Sequence, residues 1–405
     1  MFVELHILQN FPPSNLNRDD VGQPKEADFG GVRRARISSQ CLKRSIRYAG
    51  RAEGVPSVFE RGTGVPLSSR TKLMAKQLAE RLQAAGKPEE TALAVAIAMA
   101  EAYAGKLDEK RKGETAVLLY LSAHELNDIA EKLVERWDQA VLQAVLGTTE
   151  GKSAKKSSKG EPSVIDEVVK TLIKETLART SAPDIALFGR MLADKPLTNI
   201  DAACQVAHAI STHAVHKADI DYYTAMDELK TDEPGAGFLD VAYFNSACFY
   251  RYARIDVNLL TRNLGGDVEL ARRAVGAFIR ASEAAIPSGK KNSHAQETRP
   301  SLVTAVVRSD DSQGWSLVNA FEKPVRTSSE SSLITTSAGE MSAEFQDHLN
   351  CYGAQSVITC STFARRQARE ALSGRLAESI VESDGERSAL EALLESVQAA
   401  LTKGA

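Results

Sequence analysis

Between Phe29 and Ala52 stand seven basic side chains, Arg33, Arg34, Arg36, Lys43, Arg44, Arg47 and Arg51, and no acid. The formal net charge of the whole chain is −3, so the remainder is acidic and the cations form one local field, the mark of a directed polyanion site. Arg18 and Lys25 lie just upstream. On a helix over 40–51, at about 100° per residue, Gln40, Lys43, Arg44, Arg47 and Arg51 fall on one side and Leu42, Ile46 and Ala49 on the other. The apolar side is expected to dock on a sheet while the basic side faces outward. Ser38 and Ser39 precede it, offering hydroxyl caps and unpaired N–H groups where a phosphate is favoured. Such side chains neutralise phosphates without reading bases, and charge does not separate RNA from DNA. The alternative is a solvated basic face with no ligand.

Other groupings invite chemistry less strongly. Gly147 to Ser153 resembles a phosphate-binding loop, but three residues separate its glycines where four are needed, and a helix precedes it in place of a strand. His208, His213 and His216 are close in sequence, yet on a strand His213 points away from the other two, which argues against a metal site. Asp219 and Asp221 are the remaining candidates for metal-assisted or acid–base cleavage of RNA. On a strand over 246–257, Tyr250, Tyr252 and Arg254 share one face and Phe249, Arg251 and Ile255 the other. That pattern resembles a sheet that stacks bases on aromatics, unless the rows are core.

The elements that must hold these groups follow from pattern. Residues 2–9 alternate as an opening strand. Pro12, Pro13, Pro24 and Gly30-Gly31 punctuate a loop before the basic helix. Residues 68–145 carry helical spacing, as in Leu78 and Leu82, Leu93 and Ile97, then Leu126, Ile129, Leu133 and Trp137, and read as an inserted helical subdomain. Gly147–Ser163 is too polar to repay the entropy of ordering. Helix resumes to about Ala178, strands are expected near 184–192, 203–215, 246–257 and 302–308, and a helix over 267–285. The acidic stretch Asp219–Asp240 reads as a projecting element. The whole is an α+β sheet domain interrupted by insertions. With 405 residues, 43% hydrophobic and 25% charged, the chain suits a globular protein of two or three domains. It has no apolar run near the roughly 20 residues of a bilayer span, and its five scattered cysteines suit reduced thiols; the expectation is a cytoplasmic protein.

The run Pro13-Ser14-Asn15-Leu16-Asn17-Arg18-Asp19-Asp20, then Pro24-Lys25, then Phe29 through Arg44 (FGGVRRARISSQCLKR), resembles the amino-terminal signature of the CasC family, the backbone subunit of the type I-E CRISPR Cascade complex. Ala186–Met191, Ala207–His213, Phe249–Ala253 and Asn319–Lys323 add matches, so the resemblance reaches most of the chain. It implies a hand-like fold: an RNA-recognition-motif or ferredoxin-like palm, an inserted helical fingers domain and a protruding thumb. The corresponding spans are 1–55, 183–216 and 246–405 for the palm, 56–182 for the fingers and 217–245 for the thumb. The resemblance also implies RNA contacts at Arg18, Lys25, Ser38, Gln40, Lys43, Arg44, Arg47 and Met191, and thumb residues Tyr222, Tyr223, Thr224, Phe238 and Leu239 beside a displaced base. Its implied partners are the CRISPR guide RNA, target DNA, further copies stacked along the guide, and the other Cascade subunits, with no cofactor and no catalytic turnover. The Lys/Ser-rich loop at 147–162 departs from the family pattern, and the alignment is loose between Asp232 and Gly237.

Overall fold

The computed structural model describes residues 1–141, 164–175, 179–192, 198–215, 218–226, 229, 236–309 and 313–403. The stretch Gly147–Ser163 with its phosphate-loop-like motif, His216, and Asp232 to Pro234 of the loosely aligned stretch lie outside the described residues. Two compact units divide the chain: the first takes Met1–Thr63, Cys204–Asn258 and Arg272–Ala405, the second Gly64–Ala203 and Leu259–Ala271.

The first unit is built on a nine-stranded antiparallel sheet. Its strands are β1 (Phe2–Ser14), β2 (Glu26–Phe29), β3 (Val32–Ile37), β6 (Cys204–Val206), β7 (Ala209–Ser211), β8 (Asp219–Met226), β9 (Ala236–Asp256), β10 (Leu302–Arg308) and β11 (Val357–Ala364). The order is β11-β10-β1-β9-β7-β3-β2, with β6 and β8 also pairing with β9. As β1 lies between β10 and β9, even its polar residues Glu4, His6 and Gln9 are buried.

The segment before the basic helix, read from sequence as a loop, is a β2/β3 hairpin. Its two-residue turn, Gly30-Gly31, has φ of 60° and 74°, the left-handed pair that matches strand twist and that glycine adopts without strain. A Cβ on Gly30 would lie 1.8 Å from the Glu322 carbonyl oxygen, so the turn is also fixed by close approach. The expected strand at 184–192 is instead a helix, Pro183–Phe188, followed by a bridge at Arg190. A short apolar run does not distinguish the two states.

Between Ala247 and Ile255 strand β9 is buried or half-buried on both faces, which removes its base-stacking reading. Tyr250 is buried; its hydroxyl accepts from Leu317 N at 2.9 Å and bonds His6 Nδ1 at 2.8 Å. Tyr252 donates to Glu4 Oε1 at 2.8 Å, and Trp315 N donates to the same oxygen at 2.7 Å. Burial pushes the Glu4 carboxyl pKa up, and burial, with Arg308 and His348 nearby, holds His6 down at about 3. On the other face Arg251 donates to Gln9 Oε1 and Ser282 O at 2.6 and 2.7 Å, and burial lowers its pKa to about 10.

In the second unit, α3 (Met74–Ala84), α4 (Glu89–Ala104), α5 (Ala123–Glu135) and Val164–Glu175 enclose one core that includes Leu78, Leu82, Leu126, Ile129 and Leu133. Leu93, expected there, is exposed, while Ile97 packs against the cluster. Ser122 and Glu125 form a reciprocal capping box at the start of α5, satisfying two N–H groups that a helix start leaves open. A two-stranded sheet, β4 (Ser69–Thr71) with β5 (Leu119–Leu121), joins this unit. No described helix is long and apolar enough to cross a membrane.

Candidate nucleic-acid interface

The basic helix forms over Ser39–Arg47, shorter than expected, with turns through residue 50. Ser38 is its N-cap, accepting from Cys41 N through its side chain, and Ser38 N donates to Asn17 Oδ1 at 2.9 Å. Leu42, Ile46 and Ala49 are buried, as the apolar stripe requires. Gln40 and Arg44 are exposed and Lys43 half-buried. Arg47 departs from the expected outward stripe: it is 8% exposed, with its guanidinium 5.4 Å from the Tyr48 ring centroid.

The loop that carries Arg18 and Lys25 is folded back onto this helix. Lys25 N donates to Asn17 O and Arg36 N to Lys25 O, each at 2.8 Å. Thus one hydrogen-bond network, through backbone and the Asn17 side chain, joins the segments that carry Arg18, Lys25 and Arg36 to Ser38 at the start of α1 (Ser39–Arg47). The electrostatics agree. Burial pushes the Cys41 thiol pKa up while Arg44 and Lys25 pull it down. Burial lowers the His208 pKa first, and Arg36 and Lys25 lower it further. Arg18, Lys25 and Arg44 have no carboxylate partner among the described residues.

Not every arginine of the run belongs to that field. Arg33 pairs with Glu26 and Asp28 of the adjoining strand at 3.1 and 3.2 Å, so the acids missing from the linear stretch arrive by β pairing. Arg34 is wholly buried. Its five N–H donors reach the carbonyls of Phe29, Ser211, Thr212, Phe321 and Glu322 at 2.7–3.2 Å, tying the hairpin to β7 and to the 3-10 turn at Leu317–Phe321. The role is structural, and the first sequence field is smaller than its arginine count.

Met191 lies in the second unit and is 85% exposed. It is set outward beside Arg190, whose backbone pairs with Ile200 and whose buried guanidinium meets Glu125 at 2.5 Å. Tyr222, Tyr223, Thr224, Phe238 and Leu239 are all exposed on a two-stranded ribbon formed by β8 and the first part of β9. The pairs Tyr222↔Val241 and Thr224↔Leu239 share one face; Tyr223↔Asp240 and Ala225↔Phe238 share the other. The five candidates therefore form two sets. Tyr223 donates to Asp240 at 2.8 Å and meets Phe238 edge-on at 6.0 Å, so that face is internally bonded. The face with Ile220, Tyr222 (66% exposed) and Leu239 is the open apolar one.

Asp219 and Asp221 lie exposed on the ribbon. His213 is held by the Ala214 carbonyl at 2.9 Å and by Cys248 N at 3.4 Å, and His208 faces Arg36 at 3.0 Å. Among the described residues no group of three or more His, Cys, Asp or Glu side chains is placed to hold a metal.

The first unit thus joins an antiparallel sheet, a set of exposed cations and a two-stranded ribbon in one α+β fold. A family model described as CT1975-like protein matches residues 3–385, and the chain belongs to that family. In three dimensions it is similar to a chain of a "CRISPR RNA-guided surveillance complex, pre-nicking", with 29% identity, a TM-score of 0.78, and coverage of 99% of this chain and 100% of that one. A second chain, from a "CRISPR RNA-guided surveillance complex", is 25% identical with a TM-score of 0.70 over the same shares. No curated protein matches the sequence.

Proposed function

We propose that the chain is a non-catalytic, guide-RNA-binding backbone subunit of a type I-E Cascade surveillance complex. In this reading copies stack along the RNA, together with the other Cascade subunits, and present its bases for pairing with target DNA. The sheet of the first unit with α1 serves as the palm, the helical insertion as fingers and the β8/β9 ribbon as thumb. The observation that carries the reading is the continuous edge of Arg18, Lys25, Gln40, Lys43 and Arg44, held by a helix whose apolar side is sunk in the sheet. Fold similarity over 99% of the chain to subunits of RNA-guided complexes supports it. Cations spaced along a strand neutralise phosphates, and a pre-ordered guide loses less entropy when its target anneals. Sequence is then read by pairing and not by protein contacts to bases. The test is the mass of complexes reconstituted on RNAs of increasing length. Stacking gives a ladder with one added copy per fixed increment of RNA; a constant one-to-one mass overturns the reading in favour of a stand-alone RNA binder.

The ribbon's two faces give a separate expectation. With the open face against a displaced base, Tyr222→Ala combined with Leu239→Ala erases the regular hyper-reactive positions in chemical probing of the bound RNA. Affinity falls by about 1 kcal/mol, the low end for a stacking contact. Phe238→Ala leaves the probing pattern as it is. The reverse result assigns the base contact to the other face.

A further inference from the structure

We infer that the first unit carries a second phosphate-binding stretch, a groove of about 980 Å³ that begins where the α1 edge ends. This deepens the RNA-binding reading and rests on it. Five cations line the groove, Arg44, Arg51, Arg61, Lys291 and Arg299, against one lining carboxylate, Glu297. Arg44 belongs to both surfaces, so a strand leaving α1 meets the groove without a gap in positive charge. Part of that charge is internally matched: Lys291 meets Glu297 at 2.6 Å, Arg299 meets Glu283 at 2.7 Å, and Arg51 is 4.0 Å from Glu60. Arg44 and Arg61 have no carboxylate partner among the described residues, and Arg61 donates to the Pro56 carbonyl. The Arg44 and Arg51 guanidiniums sit 5.1 and 5.4 Å from the Tyr48 ring centroid, a contact that holds cations in place without cancelling their charge.

The walls are fixed by backbone. Helix α2 (Val58–Thr63), which carries Arg61, approaches the helix Val268–Ala284 so closely that a Cβ on Gly62 would lie 2.7 Å from Ala277 Cβ. On the far side a Cβ on Gly289 would lie 2.5 Å from the carbonyl oxygens of Asn15 and Leu16, which locks the following segment onto the loop of Arg18. That segment holds Lys290 and Ala295 at φ of 49° and 47°, the only non-glycine residues with positive φ among those described. They bracket the single turn Lys291–His294. Strain of this kind persists where surrounding structure over-determines it, and it clusters at ligand sites. Here it sets Lys291 into the groove wall. The ligand class is the phosphodiester group, which the guide RNA and a DNA strand share.

The test compares Arg61→Gln with Lys291→Gln, as a double variant, against Lys43→Glu. The probes are a labelled oligouridylate and a DNA duplex of the same length, each titrated at several salt concentrations. Loss of two phosphate contacts lowers the salt slope on single-stranded RNA by about 1.4, at about 0.7 per contact, and shortens the nuclease-protected length. A lowered slope on the duplex alone assigns the groove to DNA. A wild-type slope on both probes, with Lys43→Glu still weakening RNA binding, overturns the groove and leaves the α1 edge standing. If Lys43→Glu has no effect either, the RNA-binding reading itself falls. Lys291, 55% exposed, gives half that change, about 0.7 of slope, as a single Gln variant should the double variant unfold.

Discussion

Lys43→Glu combined with Arg44→Glu lowers RNA affinity by roughly 10² to 10⁴ fold, since each charge-assisted bond to phosphate is worth about 1.5–3 kcal/mol. The loss is uniform across RNA sequences, because phosphate contacts position a strand without reading it. The salt dependence flattens as well, by about 0.7 of slope per contact removed from a single strand. Filter binding on several unrelated sequences at three or more salt concentrations measures both quantities. Folding is spared, because α1 is anchored by Leu42, Ile46 and Ala49 and neither substituted residue is buried. A loss confined to particular sequences would point to base reading, and unchanged binding would leave the cationic edge a solvated surface. Arg47 is a poorer probe than its place in the sequence suggests, because its burial mixes packing with charge.

Arg34→Ala produces the opposite separation: the fold suffers before binding can be assayed. Removing the guanidinium strips partners from five carbonyls in three separate chain segments. The expected cost is about 4 kcal/mol, comparable to breaking a buried charged network from one side. Against a typical stability of about 5–15 kcal/mol, soluble yield falls sharply and the denaturation midpoint drops. Arg34→Lys does not rescue it, because an ammonium offers three donors on a flexible stem where a planar fork of five is used. Arg33→Ala, one position away but exposed and paired only at the surface, changes stability by less than about 1 kcal/mol. Equal denaturation midpoints for the two alanine variants would overturn the assignment.

These two arginines show what was legible in the sequence and what was not. The run of cations and its amphipathic helix could be read directly, since the helical period sorts Leu42 and Ile46 from Gln40 and Arg44 in one dimension. The fates of Arg33 and Arg34 depend on strand pairing, which brings Glu26 and Asp28 beside one and places carbonyls from residues 211–212 and 321–322 around the other. Alternation within Val32–Ile37 was present, but Gly30-Gly31 and the density of charge made the segment read as loop. Strands β1 and β10 and the helix Val268–Ala284 carried their periods openly. Strand β11 carries no such period in the sequence, and the short apolar run of the helix Pro183–Phe188 fits a strand as well as a helix. The aromatic residues of β9 were ambiguous for another reason. A tyrosine row looks alike whether it meets solvent or lies over a buried Glu4 and His6, and only the covering turn at Leu317–Phe321 and helix Leu333–Tyr352 decides.

Strand β9 runs unbroken for 21 residues, Ala236–Asp256, from the ribbon into the middle of the sheet beside β1. Because successive side chains alternate sides, inserting one residue into each arm would keep the pairing but turn everything beyond the insertion to the opposite surface, whereas adding two to each arm would lengthen the projection and keep every side chain in phase. Homologous proteins of this architecture can therefore vary the reach of the projection in matched increments, with the interior of the sheet indifferent to the change.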